Sequence, residues 1–442
     1  MIARFHPLRG RTRQHVAMTD TIFALSSGAP PAAIAVVRVS GPSAEMALLA
    51  LSGRRLPPRK AVTVSLRDKD GAVLDRALAL WLPGPHSATG EHVAELHCHG
   101  GRAVVAAVEA ALAAMPGLRR AEPGEFTRRA FTNGKIDLAE AEGLADLLSA
   151  ETELQRQAAI AMAGGAFSRE IEDWRERLLA LSAAVEAVLD FADEDDVAAL
   201  PGDFVARVEG LLGEVAVWLA RPRAEALREG FKVVIAGPPN AGKSTLFNAL
   251  VESDAAITAP LAGTTRDVLT HPVALAGVPF RFVDTAGLRE GAGDTIEAIG
   301  IERAYLALEG ADLVLWLGPD ADGPPGAWEI EPQADVAGHR AKTTPRHRLS
   351  ARTGEGMDAL RADLITHARL TLPRPGEAAL SQRQHRLLSE AAEALGSAAS
   401  LVDPLLVAES LRLARVAFDA LLGRTTTEDM LDALFGRFCI GK

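Results

Sequence analysis

Phe231-Lys232-Val233-Val234-Ile235-Ala236 runs into Gly237-Pro238-Pro239-Asn240-Ala241-Gly242-Lys243-Ser244, and that junction decides the fold. The first six residues read as a buried strand. The next eight match Gly-x-x-x-x-Gly-Lys-[Ser/Thr] at every fixed position, and 245–251 reads as a helix. Strand, glycine-rich loop and helix in that order make a phosphate-binding loop. Its glycines let backbone N–H groups close around phosphate oxygens, and the helix N-terminus adds its partial positive charge. Lys243 is expected to reach the β- and γ-phosphates of a nucleotide, and Ser244 to ligate Mg2+. Asn240, Ala241, Gly242 and Thr245 complete the expected cradle.

A second stretch supports the first. Residues 279–283 read as a short strand ending in Asp284-Thr285-Ala286-Gly287. An acidic residue at a strand end beside the loop anchors Mg2+ from behind, and Gly287 lets its backbone N–H approach the γ-phosphate. Between the two lies Ala259-Pro260-Leu261-Ala262-Gly263-Thr264-Thr265-Arg266-Asp267. Thr265 is placed to bind Mg2+ only while the γ-phosphate is present, the logic of a switch loop. No Gln follows Gly287 to orient an attacking water; Leu288 stands there. Glu290, Glu297 and Glu302 are the candidates for that task.

Outward from this centre, the 442 residues suggest two to four domains at roughly 100 to 200 residues each. Residues 20–125 mix strands, such as Ile34-Ala35-Val36-Val37-Arg38-Val39, with a helix near 104–115, an α+β pattern. From about residue 138 the pattern is helical. Ile171, Trp174, Leu178, Leu181, Val185 and Val188 form one stripe, and Phe204, Val208, Leu211, Val215 and Trp218 another, with the acidic run 193–196 at the break. Helical patterning returns from Ser381, and Thr425 with Glu428 reads as a capping box opening the last helix. The expected fold is multidomain: α+β at 18–135, a helical domain at 136–225 and 372–442, and a P-loop α/β domain at 226–371 inserted into it.

The net charge of −11 excludes broad coating of nucleic acid but not a local basic patch. Two cysteines, Cys98 and Cys439, are too few for a disulfide framework and fit a reducing, cytoplasmic setting. No apolar run approaches the ~20 residues of a membrane helix. The Arg-rich first 17 residues read as a leader ahead of the ordered chain. His97, Cys98 and His99 are adjacent on a strand, so alternation turns them to opposite faces and argues against a metal site. Cys439, in a polar tail, is a candidate accessible thiol.

Gly263-Thr264-Thr265-Arg266-Asp267 with Asp284-Thr285-Ala286-Gly287 resembles the translation-factor-like GTPases, which implies a Ras-like inserted domain. Asn240 matches members that bind K+ at that position, with carbonyls of Ala259, Leu261 and Thr264 completing the shell. Ile296-Glu297-Ala298-Ile299-Gly300 resembles the segment carrying the catalytic glutamate, which singles out Glu297. The flanks narrow the resemblance. Asp20-Thr21-Ile22-Phe23-Ala24, Arg38-Val39-Ser40-Gly41, Thr89-Gly90-Glu91, His99-Gly100-Gly101, the stretch from Pro123 to Phe131, and the ending Phe438-Cys439-Ile440-Gly441-Lys442 look like the MnmE-type tRNA-modification GTPases. That resemblance implies a folate-binding, dimerising amino-terminal domain and a flavoprotein partner. It also implies an aminomethyl-type (carboxymethylaminomethyl) group installed on the 5-position of wobble uridine in tRNA, with a reduced folate carrying the one-carbon unit. Arg38, Glu95, Lys135 and Lys442 match its folate-contacting positions, although Arg38 and Glu95 on neighbouring strands could equally pair with each other.

One departure stands out. Guanine readers use Asn-Lys-x-Asp after a strand; here Trp328-Glu329-Ile330-Glu331 is followed by Pro332-Gln333-Ala334-Asp335, and only Asp335 survives. Ser350-Ala351-Arg352 resembles the second base loop. The competing readings are a ribosome-assembly GTPase, which would carry an RNA-binding module such as a KH domain, and a signalling switch without modification chemistry.

Overall fold

Alternation governs the amino-terminal sheet. In Ile34–Ser40, Ala35, Val37 and Val39 are buried while Arg38 points to the other face. The computed structural model describes residues 20–190, 200–252, 256–257, 270–284, 310–336, 338–339, 341–425 and 427–441. It divides into two units, Met1–Ala141 with Thr426–Lys442, and Glu142–Thr425.

In the first unit, β1 (Thr21–Leu25), β2 (Ile34–Ser40), α1 (Ala44–Ser52), β3 (Val62–Arg67), β4 (Val73–Leu82), β5 (Val93–His99), α2 (Arg102–Ala113), β6 (Leu118–Arg120) and α3 (Glu125–Thr132) follow in order. The six strands lie as β3-β4-β5-β2-β1-β6. Leu48 and Leu51 of α1 and Val108 and Leu112 of α2 share a core with Val37, Val39, Leu66, Ala79 and Leu96 on one face of that sheet. On the other face Phe126 of α3 covers Ile22 and Ala24.

The chain's end belongs to this unit. Of the stretch 372–442 expected to close the helical domain, Thr426–Lys442 is grouped with the first unit. The reason is close packing. The rings of Phe131 and Phe435 lie 6.0 Å apart, Arg128 Nη1 donates to Asp432 at 2.8 Å and also pairs with Glu428, and Pro123 bridges to Ile440. Gly124 (φ +69) has no room for a side chain, since a Cβ there would fall 2.1 Å from the Phe435 carbonyl oxygen. The terminal helix starts at Glu428 with Thr427 at its N-cap, so the expected capping box at Thr425 does not form.

The second unit contains α4 (Leu138–Ser149, from Glu142), α5 (Glu153–Ala163), α6 (Ala166–Asp190), α7 (Phe204–Leu219) and α8 (Ala224–Glu229). An α/β segment follows: β7 (Phe231–Ala236), α9 (Lys243–Val251), β8 (Ala256–Ile257), β9 (Thr270–Leu275), β10 (Val278–Asp284), β11 (Leu313–Trp316), β12 (Trp328–Glu331), β13 (His347–Arg348) and α10 (Met357–Thr371). Helices α11 (Gln382–Ser400) and α12 (Pro404–Leu421) close the unit. Both stripes read from the sequence are buried, and Trp174 of α6 meets Trp218 of α7 edge-on at 6.4 Å and Phe418 of α12 at 5.9 Å. Helices before and after the α/β segment thus share one core. The chain enters and leaves that segment side by side, with Ala224 N donating to Leu380 O at 2.9 Å. The acidic run 193–196 lies outside the described residues.

In the seven-stranded sheet, ordered β13-β12-β11-β7-β10-β9-β8, β7 is central and parallel to both β10 and β11. Being covered on both faces, Val233, Val234 and Ile235 are fully buried, which is why this strand is continuously apolar. β10 and β11 flank β7 on either side, so the strand order switches at β7, and the phosphate-binding loop sits at its carboxyl end.

Gly124→Ala is expected to destabilise the chain by about 1–3 kcal/mol more than Gly117→Ala. Gly117 shares the left-handed backbone (φ +77) but faces open space. Urea titration of both variants, with proteolysis as a readout of tail release, checks this; equal costs would remove the tail-docking account.

Candidate functional site

Loop geometry follows from residues that tolerate left-handed backbone. Asn240 (φ +60) and Gly242 (φ +89) turn the chain into α9. A Cβ on Gly237 would approach the Gly318 nitrogen at 3.1 Å, so the loop hugs the end of β11. Lys243, at the start of α9 and 7% exposed, donates from Nζ to Gly237 O at 3.0 Å and Pro238 O at 2.8 Å. The ammonium therefore already lies over the concave side of the loop. Ser244 Oγ donates to Asp284 Oδ2 at 2.7 Å, and Asp284, at the end of β10, is buried. A hydroxyl and a carboxylate side by side are hard oxygen donors of the kind Mg2+ prefers. Among the described residues no group of three His, Cys, Asp or Glu could hold a metal. A Mg2+ site built on one hydroxyl, one carboxylate and nucleotide oxygens is not such a group.

The base loop adjoins this centre. Pro332 and Gln333 follow β12, Gln333 is left-handed (φ +59), and its Nε2 lies 3.5 Å from where a Gly242 Cβ would be. The buried Ser350 hydroxyl donates to Asp335 and holds its carboxyl below the usual range, with Arg352 adding to the effect. Ala351 packs against the core beneath, and Ala334 N donates to Leu349 O at 3.1 Å. Asp335, Ser350, Ala351 and Arg352 are thus gathered on one side of the phosphate loop.

Sequence reading missed the anchor of this loop. Glu331 is buried at the end of β12 and is bonded by His339 Nε2 at 2.8 Å, Lys342 N at 3.0 Å and Arg348 Nε at 3.2 Å. The His339 hydrogen bond, then that of Lys342, holds its carboxyl low. The available signal was an acidic residue closing an otherwise core-bound strand. Ala259, Pro260, Leu261, Ala262, Gly263, Thr264, Thr265, Thr285, Ala286, Gly287, Glu290, Glu297, Glu302 and Lys442 lie outside the described residues.

In the first unit, Arg38 and Glu95 face each other on β2 and β5 and pair, Nε–Oε1 at 3.0 Å and Nη2–Oε1 at 2.9 Å. The Arg38 guanidinium also sits 5.7 Å from the centroid of Phe126. Lys135 stands over the Thr89-Gly90-Glu91 turn, its Cε 3.1 Å from where a Gly90 Cβ would be. Alternation turns Cys98 to the face opposite His97 and His99. His97 reaches Glu95, His99 Nδ1 reaches Asp75 at 2.7 Å, and Cys98 is buried in the core, its thiol pushed up to about 12 by burial. Cys439 is exposed.

Beside these residues lies a network the sequence did not disclose. Arg129, 4% exposed, bonds Asp20, Glu91 and Glu125 at 2.9–3.1 Å, and Arg119 shares Asp20 and Glu125. Burial alone would push the Asp20 and Glu125 carboxyls up; the two guanidinium groups outweigh it and hold both low.

The family description "GTP-binding protein TrmE N-terminus" matches residues 21–135, and "MnmE helical domain" matches residues 138–439. Three relatives carry the name tRNA modification GTPase MnmE. That of Novosphingobium aromaticivorans is 65% identical over 96% of this chain and 100% of its own length. That of Erythrobacter litoralis is 64% identical over 96% and 100%, and that of Rhizorhabdus wittichii 59% identical over 96% and 97%.

Arg129→Ala leaves Glu91 without its arginine and Asp20 and Glu125 with Arg119 alone, at an expected cost of about 3–5 kcal/mol. Because the native carboxyls of Asp20 and Glu125 are held low, their contribution is present above the ordinary value of 4.5 for Glu125 and is lost as pH falls through the native values. Urea stability followed between about pH 3 and 6 should show a steep acid limb in the wild type and a shallower one in Arg129→Ala. Parallel limbs would deny the network its role.

Proposed function

The chain belongs to the MnmE family of tRNA modification GTPases, and from that premise we propose that it hydrolyses GTP while acting in the modification of wobble uridine in tRNA. The observation that carries the hydrolase reading is Lys243 lying under its own loop beside the Ser244–Asp284 pair. In the proposed mechanism Lys243 exchanges the carbonyls of Gly237 and Pro238 for phosphate oxygens, and Ser244, its hydroxyl hydrogen-bonded to Asp284, would ligate Mg2+. Mg2+ supplies charge neutralisation on the phosphates when bound. Thr265 completes the Mg2+ site in the triphosphate state, and Glu297 orients the attacking water. Asn240, with carbonyls of Ala259, Leu261 and Thr264, would hold a K+, which would supply positive charge against that developing in the transition state. Asp335 and the Ala351 N–H select guanine, because adenine presents the opposite donor and acceptor pattern.

The amino-terminal unit is proposed to bind a reduced folate through Arg38, Glu95, Lys135 and Lys442, and to pair with a second copy of the chain. The charged pair Arg38–Glu95 lies on the sheet face away from the α1–α2 core, which supports this reading. A flavoprotein is the proposed partner in installing the carboxymethylaminomethyl-type group. We further propose that the α/β segment is an insertion in the helical domain, and that the protein works in the cytoplasm. No helix among the described residues is long and apolar enough to cross a membrane. The described C-terminal residues contain helices and no strand–helix RNA-binding module after α10, which favours tRNA modification over the ribosome-assembly alternative.

Hydrolysis should be faster in K+ than in Na+ at equal ionic strength, and Asn240→Ala should erase the difference. Glu297→Ala should keep nucleotide binding while kcat falls on the order of 10²-fold or more. Equal rates in both salts would remove the K+ site, and a normal kcat would move the water-orienting role to Glu290.

Competition binding should rank GTP above ATP, and Asp335→Asn should raise affinity for XTP. Equal binding of GTP and ATP by the wild type would show that Asp335 does not read the base.

Calorimetry with 5-formyltetrahydrofolate should show binding by the full chain that Arg38→Ala and Glu95→Ala weaken. A folded, GTP-binding protein that takes up no folate would sink the folate assignment alone.

A further inference from the structure

A cavity of about 280 Å³ opens within the second unit where α4, α5 and α8 meet. Its floor is apolar, formed by Ala158, Ala159, Met162 and Leu227, all buried. The polar wall is selective in what it leaves available. The amide of Gln155 is consumed: Oε1 accepts from Glu151 N and Thr152 N at 2.9 Å, and Nε2 donates to Leu227 O at 2.8 Å. Arg228, the one cation in the wall among the described residues, is turned onto Asp146, and both of its contacts fall on Oδ1. Asp146 Oδ2 and the Glu151 carboxylate have no hydrogen-bond partner among the described residues. The groups left to a ligand therefore accept hydrogen bonds and carry negative charge.

We propose that this cavity binds a small ligand with an apolar body and a cationic N–H donor head, the head taken by Asp146 Oδ2 and Glu151. The volume lies at the low end of ligand pockets, so it suits one ring with one short charged arm. The local balance of charge favours such a head. Burial pushes the Asp146 carboxyl up, Arg228 offsets this only in part, and Glu142 and Glu225 add to the rise. Glu225 Oε2 is itself buried without a partner among the described residues. The site adjoins α8, and one residue after α8 the chain enters β7 and runs to the phosphate loop. Occupancy thus bears on the segment that leads into the nucleotide site.

Benzamidine is the probe. Titrated into the full chain carrying 13C-methyl methionine, it should shift the Met162 methyl signal saturably, with Met162→Leu assigning that signal among seven. Benzyl alcohol and benzoate should bind at least tenfold more weakly, as should benzamidine to Asp146→Asn. Ala159→Leu should fill the floor and abolish binding. Retained GTP binding shows that each variant folds, and if Ala159→Leu does not, Asp146→Asn alone decides. No saturation in the wild type, benzoate binding as tightly as benzamidine, or indifference to Asp146→Asn would each overturn the proposal.

Discussion

When Val283 pairs with Val234 and Asp284 with Ile235, the ladder carries a buried carboxylate to within 2.7 Å of the Ser244 hydroxyl. The rest of the nucleotide site depends on that parallel pairing. A one-residue slip would turn Asp284 to the other face of the sheet and bring Val283 in its place. Burial on both faces opposes the slip, since Phe280 and Phe282 stack at 5.7 Å within the core and Phe231 meets Phe280 edge-on at 5.8 Å. Aromatic packing along β7 and β10 is thus the means by which two polar atoms are held in register. The same sheet places the base loop, because β12 reaches β7 through β11 and delivers Gln333 against Gly242.

The amino-terminal unit solves a different problem, docking a tail onto α3 and the end of β1. Its glycines mark where backbone meets backbone. Besides Gly124, Gly441 (φ +96) leaves only 2.0 Å between a would-be Cβ and the Leu25 carbonyl oxygen. These contacts explain why Pro123-Gly124-Glu125 and Ile440-Gly441 are informative although they lie more than three hundred residues apart. Glu125 links the tail-binding helix to the Arg119–Arg129 network, so the same short stretch serves packing and charge.

How far this was legible in the sequence depended on the range of the interaction. The strand 231–236, the helix stripes on α6 and α7, and Asp284 at a strand end were readable because periodicity and motif spacing are local. Ser381 with Gln384 forms a real capping box, whereas Thr425 with Glu428 has the same spacing and does not, because the helix begins at Glu428 and Thr427 occupies the N-cap position. The grouping of 426–442 with the first unit was hidden, since it rests on contacts between residues far apart in the chain, such as Arg128 with Asp432. Glu331 and Arg129 were hidden too: a buried charge is recognised only by its partners, and apart from Glu125 on α3 theirs lie outside their own elements.

The meeting of Ala224 and Leu380 has a consequence for how such a chain can change over generations. Because the two ends of the α/β segment meet at one hydrogen bond, the length of the segment does not set the span between them, although α5 also touches it, with Leu154 N donating to Gly277 O at 3.1 Å. Insertions, deletions and remodelled loops within the segment leave the span across that rung unaltered. A base loop that lacks both the Asn and the Lys of the usual motif is then a local experiment, since Pro332 and Gln333 lie against Gly242 within the segment itself.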